Sequence, residues 1–297
     1  MFSTLSKIPC WTLFGLALFL LFLLHEANAD NRIEVAGDGT DVVLIPGLAS
    51  DGAALRSVTE HLGQCHRTHT LTLAGFAGQP AVDGPVLHTR ADSISKYIAS
   101  LDSHRATLIG HSLGGVLALM LAIDHPEQVE RVIILDALPY LPAALFPGAT
   151  VEQVKPQAQA SRQMILDQPV EAFTASQRQV LATMTNRGSR VADLLAWSLA
   201  SDRRTIADAY FEMFTTDLRD QITRVRAPTL VLVPWDTGDR QDTATTLDIY
   251  RKQYAKLSSA RVQLIKGSRH FMTFDQPIAT NWAIDEFMGK CDSSTAK

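Results

Sequence analysis

Residues 106–121, ATLIGHSLGGVLALML, constrain this chain more than any other stretch. Thr107, Leu108 and Ile109 make an apolar run of the kind that fills a buried strand. The run meets Gly110-His111-Ser112-Leu113-Gly114 and then continues smoothly apolar to about His125, where Pro126 is a stop signal. This is a strand, a tight turn and a helix, with a serine at the apex. Gly110 and Gly114 stand two residues either side of Ser112, where a Cβ would clash as the chain reverses. Ser112 is therefore expected in a sharp, strained turn, its hydroxyl above the sheet edge and a helix N-terminus beneath it. Gly115 lets that helix lie close against the strand.

The first 29 residues have the layout of a secretory signal peptide. Lys7 supplies the positive start, Cys10 to Leu24 is almost wholly apolar, and Ala27-Asn28-Ala29 is a small-x-small cleavage site before Asp30. An uncleaved membrane anchor is the alternative, although Ile8 to Leu24 is short for a full span. Export to the periplasm or outside the cell is thus expected, with membrane association only if the segment stays uncleaved. After cleavage two cysteines remain, Cys65 and Cys291, and an oxidising compartment would permit either a bridge or two free thiols. The formal net charge of −4 and the lack of any basic block argue against a nucleic-acid partner.

Buried strands are expected at Asp41–Ile45, His69–Leu73, the serine strand, Val132–Leu135, Pro228–Val233 and Arg261–Ile265, with a short one at Ile33–Val35. Helical patterns alternate with them at the spacing of βαβ units, so the fold is α/β, with a mostly parallel central sheet flanked by helices. Between Pro142 and Arg224 no run reads as a buried strand. Four helical stretches rich in aromatics and methionines stand there instead, and we read them as a helical cap. The expected organisation is a core of 30–141 and 225–297, with the cap (lid) at 142–224.

Serine is a weak nucleophile unless a base lies within hydrogen-bond reach. Most of the histidines fall at helix ends or strand starts, and the His111 side chain should turn away into packing around the elbow. His270 differs: it stands just beyond the last strand, in a loop that a parallel sheet opens on the same edge as Ser112. The third group should be a carboxylate in another such loop. Asp239 is preferred because Gly238 carries it one turn further into the loop after Val233, with room to reach across. Asp236, nearer the strand end, is the alternative, and Asp136, which ends the strand after the nucleophile, is the third candidate.

The order Ser112, Asp239, His270, with Gly-His-Ser-Leu-Gly-Gly at 110–115, resembles the α/β-hydrolase superfamily, in its serine esterase or proline-iminopeptidase-like branch. The resemblance runs from about Asp41 to Met288. It implies a cap inserted after the sixth strand, an acid after the seventh and a histidine after the eighth. It also implies an oxyanion hole made by the backbone N–H of Leu113 and one from the loop after the first parallel strand. That loop has Pro46-Gly47 where the family has His-Gly, which makes Leu48 the expected donor and Ala49 the alternative.

The serine excludes the aspartate-nucleophile members of the superfamily. No His-x-x-x-His or comparable ligand cluster suggests a metal, and Gly75-x-x-Gly78 lacks the further glycine of a dinucleotide site, so no cofactor is expected. Few charges among many apolar groups in the cap point to a small-molecule ester with a small, largely apolar acyl group. The alternatives are an exported aminopeptidase of proline-iminopeptidase type, an acyl-homoserine lactone hydrolase, and a binding protein on a hydrolase scaffold. A peptidase would need a cap acid for the substrate's α-amine, with Glu152, Glu171, Asp193 and Glu212 as possible suppliers.

Overall fold

The computed structural model describes residues 31–239 and 241–289. The expected signal peptide and Cys291 lie outside the described residues. Cys65 is disulfide-bonded.

Among the described residues seven strands form one sheet: β1 (Arg32–Ala36), β2 (Thr40–Ile45), β3 (His66–Thr72), β4 (Ala106–His111), β5 (Val129–Leu135), β6 (Thr229–Trp235) and β7 (Ala260–Lys266). Their order is β1-β3-β2-β4-β5-β6-β7. Only β1 is antiparallel, pairing with β3 at the edge. Its largely exposed residues suit that position. The central β2 and β4 are almost wholly buried, as strands covered on both faces must be.

Strand periodicity divides the core in two. Val43, Ile45, Leu108, Val132, Ile134 and Val231 join one cluster. It is covered by α2 (Val86–Ser100) and α3 (Leu113–Asp124), after α1 (Arg56–Leu62) on the other face. Val42, Leu44, Ile109, Ile133, Leu135 and Leu232 form the second cluster, with Val58 and Leu62 of α1. Helix α3 is buried at ten of its twelve residues, so it carries no polar stripe and sits as a central layer.

Helices α4 (Leu141–Leu145), α5 (Val151–Asp167), α6 (Val170–Thr183), α7 (Val191–Ala200) and α8 (Arg203–Thr215) occupy the interval between β5 and β6. The inserted helices follow the fifth strand of this chain rather than the sixth. A single strand, β1, precedes the parallel set, so each later strand stands one place earlier than the family numbering implies. Helix α5 packs on α8, joined by an Arg162–Asp208 ion pair at 2.5 Å. Both oxygens of Glu212, on α8, accept the free N–H groups at the start of α2, from Val86 and Leu87, each at 2.7 Å. After β6 come α9 (Thr243–Gln253), then β7, α10 (Met272–Asp275) and α11 (Pro277–Met288). Alanine and isoleucine side chains of α11, Ala283 and Ile284, close the second cluster.

Near the start of β2, at the end of the strand away from the serine turn, Asp41 is only 5% exposed. Its carboxylate accepts from Arg67 Nε at 2.7 Å, His69 Nε2 at 2.9 Å and Ser103 Oγ at 2.7 Å. Burial pushes the Asp41 carboxyl up, but these donors and the nearby guanidinium outweigh it and hold it down at about 2.

Candidate active site

The elbow at Ser112 is built by close backbone packing. Ser112 has φ 54 and ψ −120, a conformation that L-residues adopt only when the surroundings enforce it. Its N–H donates to Leu135 O on β5 at 3.0 Å, and its carbonyl accepts from Gly115 at 2.8 Å and Val116 at 3.2 Å. A Cβ at Gly110 would stand 2.2 Å from the Gly114 carbonyl oxygen, and one at Gly114 only 2.1 Å from that of Ile45. The second glycine therefore answers to β2 as much as to the reversal of the chain.

His270 follows β7 and lines one cavity with Ser112. Its Nδ1–H donates to Asp136 Oδ2 at 2.5 Å. That makes Asp136 the carboxylate at the histidine, and corrects the sequence expectation of Asp239 with Asp236 as alternative. Strand β6 runs two residues further than expected, to Trp235, which pairs with Lys266. The loop that remains folds on itself: Asp239 Oδ2 accepts from the Asp236 N–H at 2.8 Å, and the Asp239 N–H donates to Asp236 O at 3.0 Å. The Asp236 carboxylate faces Arg269 Nε at 3.6 Å. Asp136 sits directly off the end of β5, its N–H bonded to Leu232 O at 3.0 Å and its φ at 50, a region aspartate tolerates better than most residues.

Asp136 has a second donor, the Tyr250 hydroxyl on α9, bonded to Oδ1. Burial alone would raise the Asp136 carboxyl, but attraction to His270 and the bonds from His270 and Tyr250 hold it below the usual range. Tyr250 itself is driven well above the ordinary phenol value by burial and by the carboxylate beside it. It therefore remains a donor. Tyr250 lies within a helix, and no motif in the sequence singles it out.

His111 is buried at 2% exposure, and its ring lies 4.5 Å from that of His270, centroid to centroid. Its Nε2 meets the His270 carbonyl oxygen at 3.0 Å. A carbonyl only accepts, so Nε2 carries the hydrogen. Burial, reinforced by His270, lowers His111 to about 3 and keeps it neutral. The loop is held from its other side by Asp275, 4% exposed, whose Oδ2 accepts from the Arg269 N–H at 2.9 Å. Asp275 Oδ1 accepts from Thr185 Oγ1 at 2.6 Å and the Asn186 N–H at 2.8 Å, tying the histidine loop to the segment after α6. Nothing in the sequence marked Asp275.

The expected oxyanion donors belong to two segments that adjoin Ser112, the start of α3 and the loop after β2. Leu113 is the first residue of α3, where N–H groups have no partner within the helix. The loop bearing Leu48 and Ala49 presses on the elbow, since a Cβ at Gly47 would stand 3.2 Å from Ser112 Cβ. Ala49 is held at φ 54, and Ser50 Oγ donates to the Leu48 carbonyl at 3.2 Å. The cavity measures about 130 Å³ and takes apolar walls from Val116, Leu138, Leu141 and Met213. Among the described residues no group of three His, Cys, Asp or Glu side chains gathers to hold a metal ion.

A strained serine after a parallel strand thus shares a cavity with a histidine whose ring is backed by a largely buried carboxylate. The model of the Alpha/beta hydrolase family matches residues 42–281, and the chain belongs to that family. It is 25% identical over 256 residues to a pimeloyl-[acyl-carrier protein] methyl ester esterase of Aeromonas hydrophila subsp. hydrophila, covering 81% of this chain and 98% of the relative. Two solved structures share the fold. A hydrolase from Pseudomonas aeruginosa PA01 has TM-score 0.71 at 20% identity, over 86% of this chain and 93% of its own. An enol-lactonase from Burkholderia xenovorans LB400 has TM-score 0.70 at 18% identity, over 87% of this chain and 96% of its own. Family and relatives together support an enzyme of the ester-hydrolase kind.

Proposed function

We propose that the protein is a serine carboxylesterase that works through an acyl-enzyme on esters of small, largely apolar acids. The observation that carries this reading is the 2.5 Å bond from His270 Nδ1 to Asp136, made in the wall of the cavity that Ser112 also lines. With Nδ1 donating to Asp136, Nε2 is the nitrogen that takes the proton from Ser112 Oγ as the oxygen attacks the acyl carbon. The negative charge that develops on the carbonyl oxygen is received by the amides of Leu113 and Leu48, each such donor being worth on the order of 3 kcal/mol. His270 returns the proton to the leaving alcohol. Water then enters, gives its proton to His270, and releases the acid and the free serine.

The narrow, apolar cavity favours a short acyl chain. The inserted segment 142–224 serves as a cap, because Met213 of α8 and Thr216 just after it both contribute to the cavity wall. A carboxylate for an aminopeptidase's α-amine is missing from this wall among the described residues, Asp136 apart, and Asp136 is engaged twice. Glu212 is committed to α2 and Asp193 pairs with Arg190 at 2.9 Å. The disulfide at Cys65 suits export, and N-terminal sequencing of the exported chain should begin at Asp30.

The test is a panel of p-nitrophenyl acyl esters, acyl-homoserine lactones and aminoacyl anilides. Turnover should be highest on short esters, and a fluorophosphonate should label Ser112. A chain that hydrolyses nothing and stays unlabelled would be a binding protein, and turnover undiminished in Ser112→Ala would reject the mechanism.

A further inference from the structure

Away from the serine, a hollow of about 570 Å³ opens where α2 passes the end of β3. Arg90 lines it and is only 1% exposed, a degree of burial that arginine rarely shows unless paired. Its Nε donates to Ala74 O at 3.0 Å and its Nη1 to Thr89 Oγ1 at 2.8 Å, but its buried Nη2 has no hydrogen-bond partner. Glu212, the acid whose field reaches it, has both oxygens on the amides of Val86 and Leu87. Among the described residues no carboxylate forms an ion pair with Arg90. A guanidinium cannot shed its proton in a protein, so a buried charge and an unmet donor remain together.

The rest of the lining says what would meet them. Lys96 brings a second positive charge and Asp92 one negative charge, leaving the hollow with a net charge of about one positive unit, which suits a singly charged anion. Ser93 Oγ accepts from Asn31 Nδ2 at 3.2 Å, which leaves its hydroxyl hydrogen to donate. Ile33 and Val82 supply an apolar side. We propose that this hollow is a binding site for a small monocarboxylate, with its anionic end on Arg90 Nη2 and a short alkyl tail against Ile33 and Val82. The site does not depend on the Ser112 chemistry.

The test uses the full protein with Ser112 blocked by a fluorophosphonate, so that the catalytic cavity cannot report; if the reagent does not react, Arg90→Gln separates the two sites, since Arg90 does not line that cavity. Calorimetric titration with sodium butyrate should saturate at one site per chain. Butyramide, the uncharged analogue, should bind at least about tenfold more weakly, and inorganic phosphate more weakly than butyrate. Arg90→Gln should lose about tenfold or more in butyrate affinity while still melting cooperatively. Should Arg90→Gln fail to fold, the exposed Lys96→Ala should still weaken butyrate severalfold. Absence of saturation by butyrate, equal binding of butyramide, or unchanged affinity in a folded Arg90→Gln protein would overturn the assignment.

Discussion

Replacing Asp136 by Asn removes one charge and no volume, and the two bonds it makes set the expected size of the effect. Oδ2 accepts from His270 Nδ1 and Oδ1 from the Tyr250 hydroxyl, whereas an amide has a single accepting oxygen. If that oxygen faces Tyr250, the amide NH₂ faces Nδ1, which must give up its hydrogen. The imidazole proton then sits on Nε2 and cannot be replaced by the one from Ser112. If the oxygen faces His270, the tautomer survives but the imidazolium formed during attack loses its counter-charge. Two unit charges about 4 Å apart at an effective dielectric constant of about 20 attract by roughly 4 kcal/mol, which corresponds to about 10³ in rate. Adding the tautomer penalty brings the expected loss in kcat to about 10³–10⁴-fold. The assay is steady-state hydrolysis of p-nitrophenyl butyrate, with a thermal melt to show that the variant folds. Asp239→Asn and Asp236→Asn should stay within about twofold of the parent. An Asp136→Asn enzyme within tenfold of the parent, or an Asp239→Asn enzyme that falls as far, would refute the reasoning.

Tyr250→Phe deletes one donor to Asp136 but leaves the carboxylate on His270, so kcat should fall only about tenfold with KM unchanged; a change confined to KM would argue against a positioning role. Gly114→Ala forces a methyl against the Ile45 carbonyl, and chemical denaturation should show a loss of about 3 kcal/mol or more; stability within 1 kcal/mol of the parent would mean that the contact relaxes. Asp41 titrates near 2 folded against its ordinary 3.8, so it contributes stability that is complete above 3.8 and is lost as the pH falls through about 2. The stability gap between the parent and Asp41→Asn should narrow by about 2 kcal/mol between about pH 5 and pH 2, measured by urea unfolding; a gap independent of pH would remove Asp41 from that role.

The elbow, the parallel sheet and the run of helices before β6 were legible because each rests on a local pattern: flanking glycines, unbroken apolar runs, or a stretch without them. His270 was legible from topology, since every loop after a parallel strand opens on one edge. The carboxylate was not, because three acids follow strands on that same edge and choosing among them depends on where a strand ends. Trp235 and Pro234 look like loop residues but pair with Lys266 and Ile265, and those extra rungs shorten the loop that carries Asp236 and Asp239. The tyrosine behind Asp136 and the aspartate at 275 each meet residues far away in the chain, and no spacing within the sequence announces such contacts.

His111 stands next to Ser112 in the chain, yet its ring grips the backbone of the loop that carries His270. Two members of the trio are thereby clamped to each other through the peptide that links His111 and Ser112, without help from the acid. A shift of the turn would carry the imidazole along with the hydroxyl. Asp136 is then the one of the three whose position that bond leaves unset, and it is held instead by its own place at the end of β5 and by Tyr250.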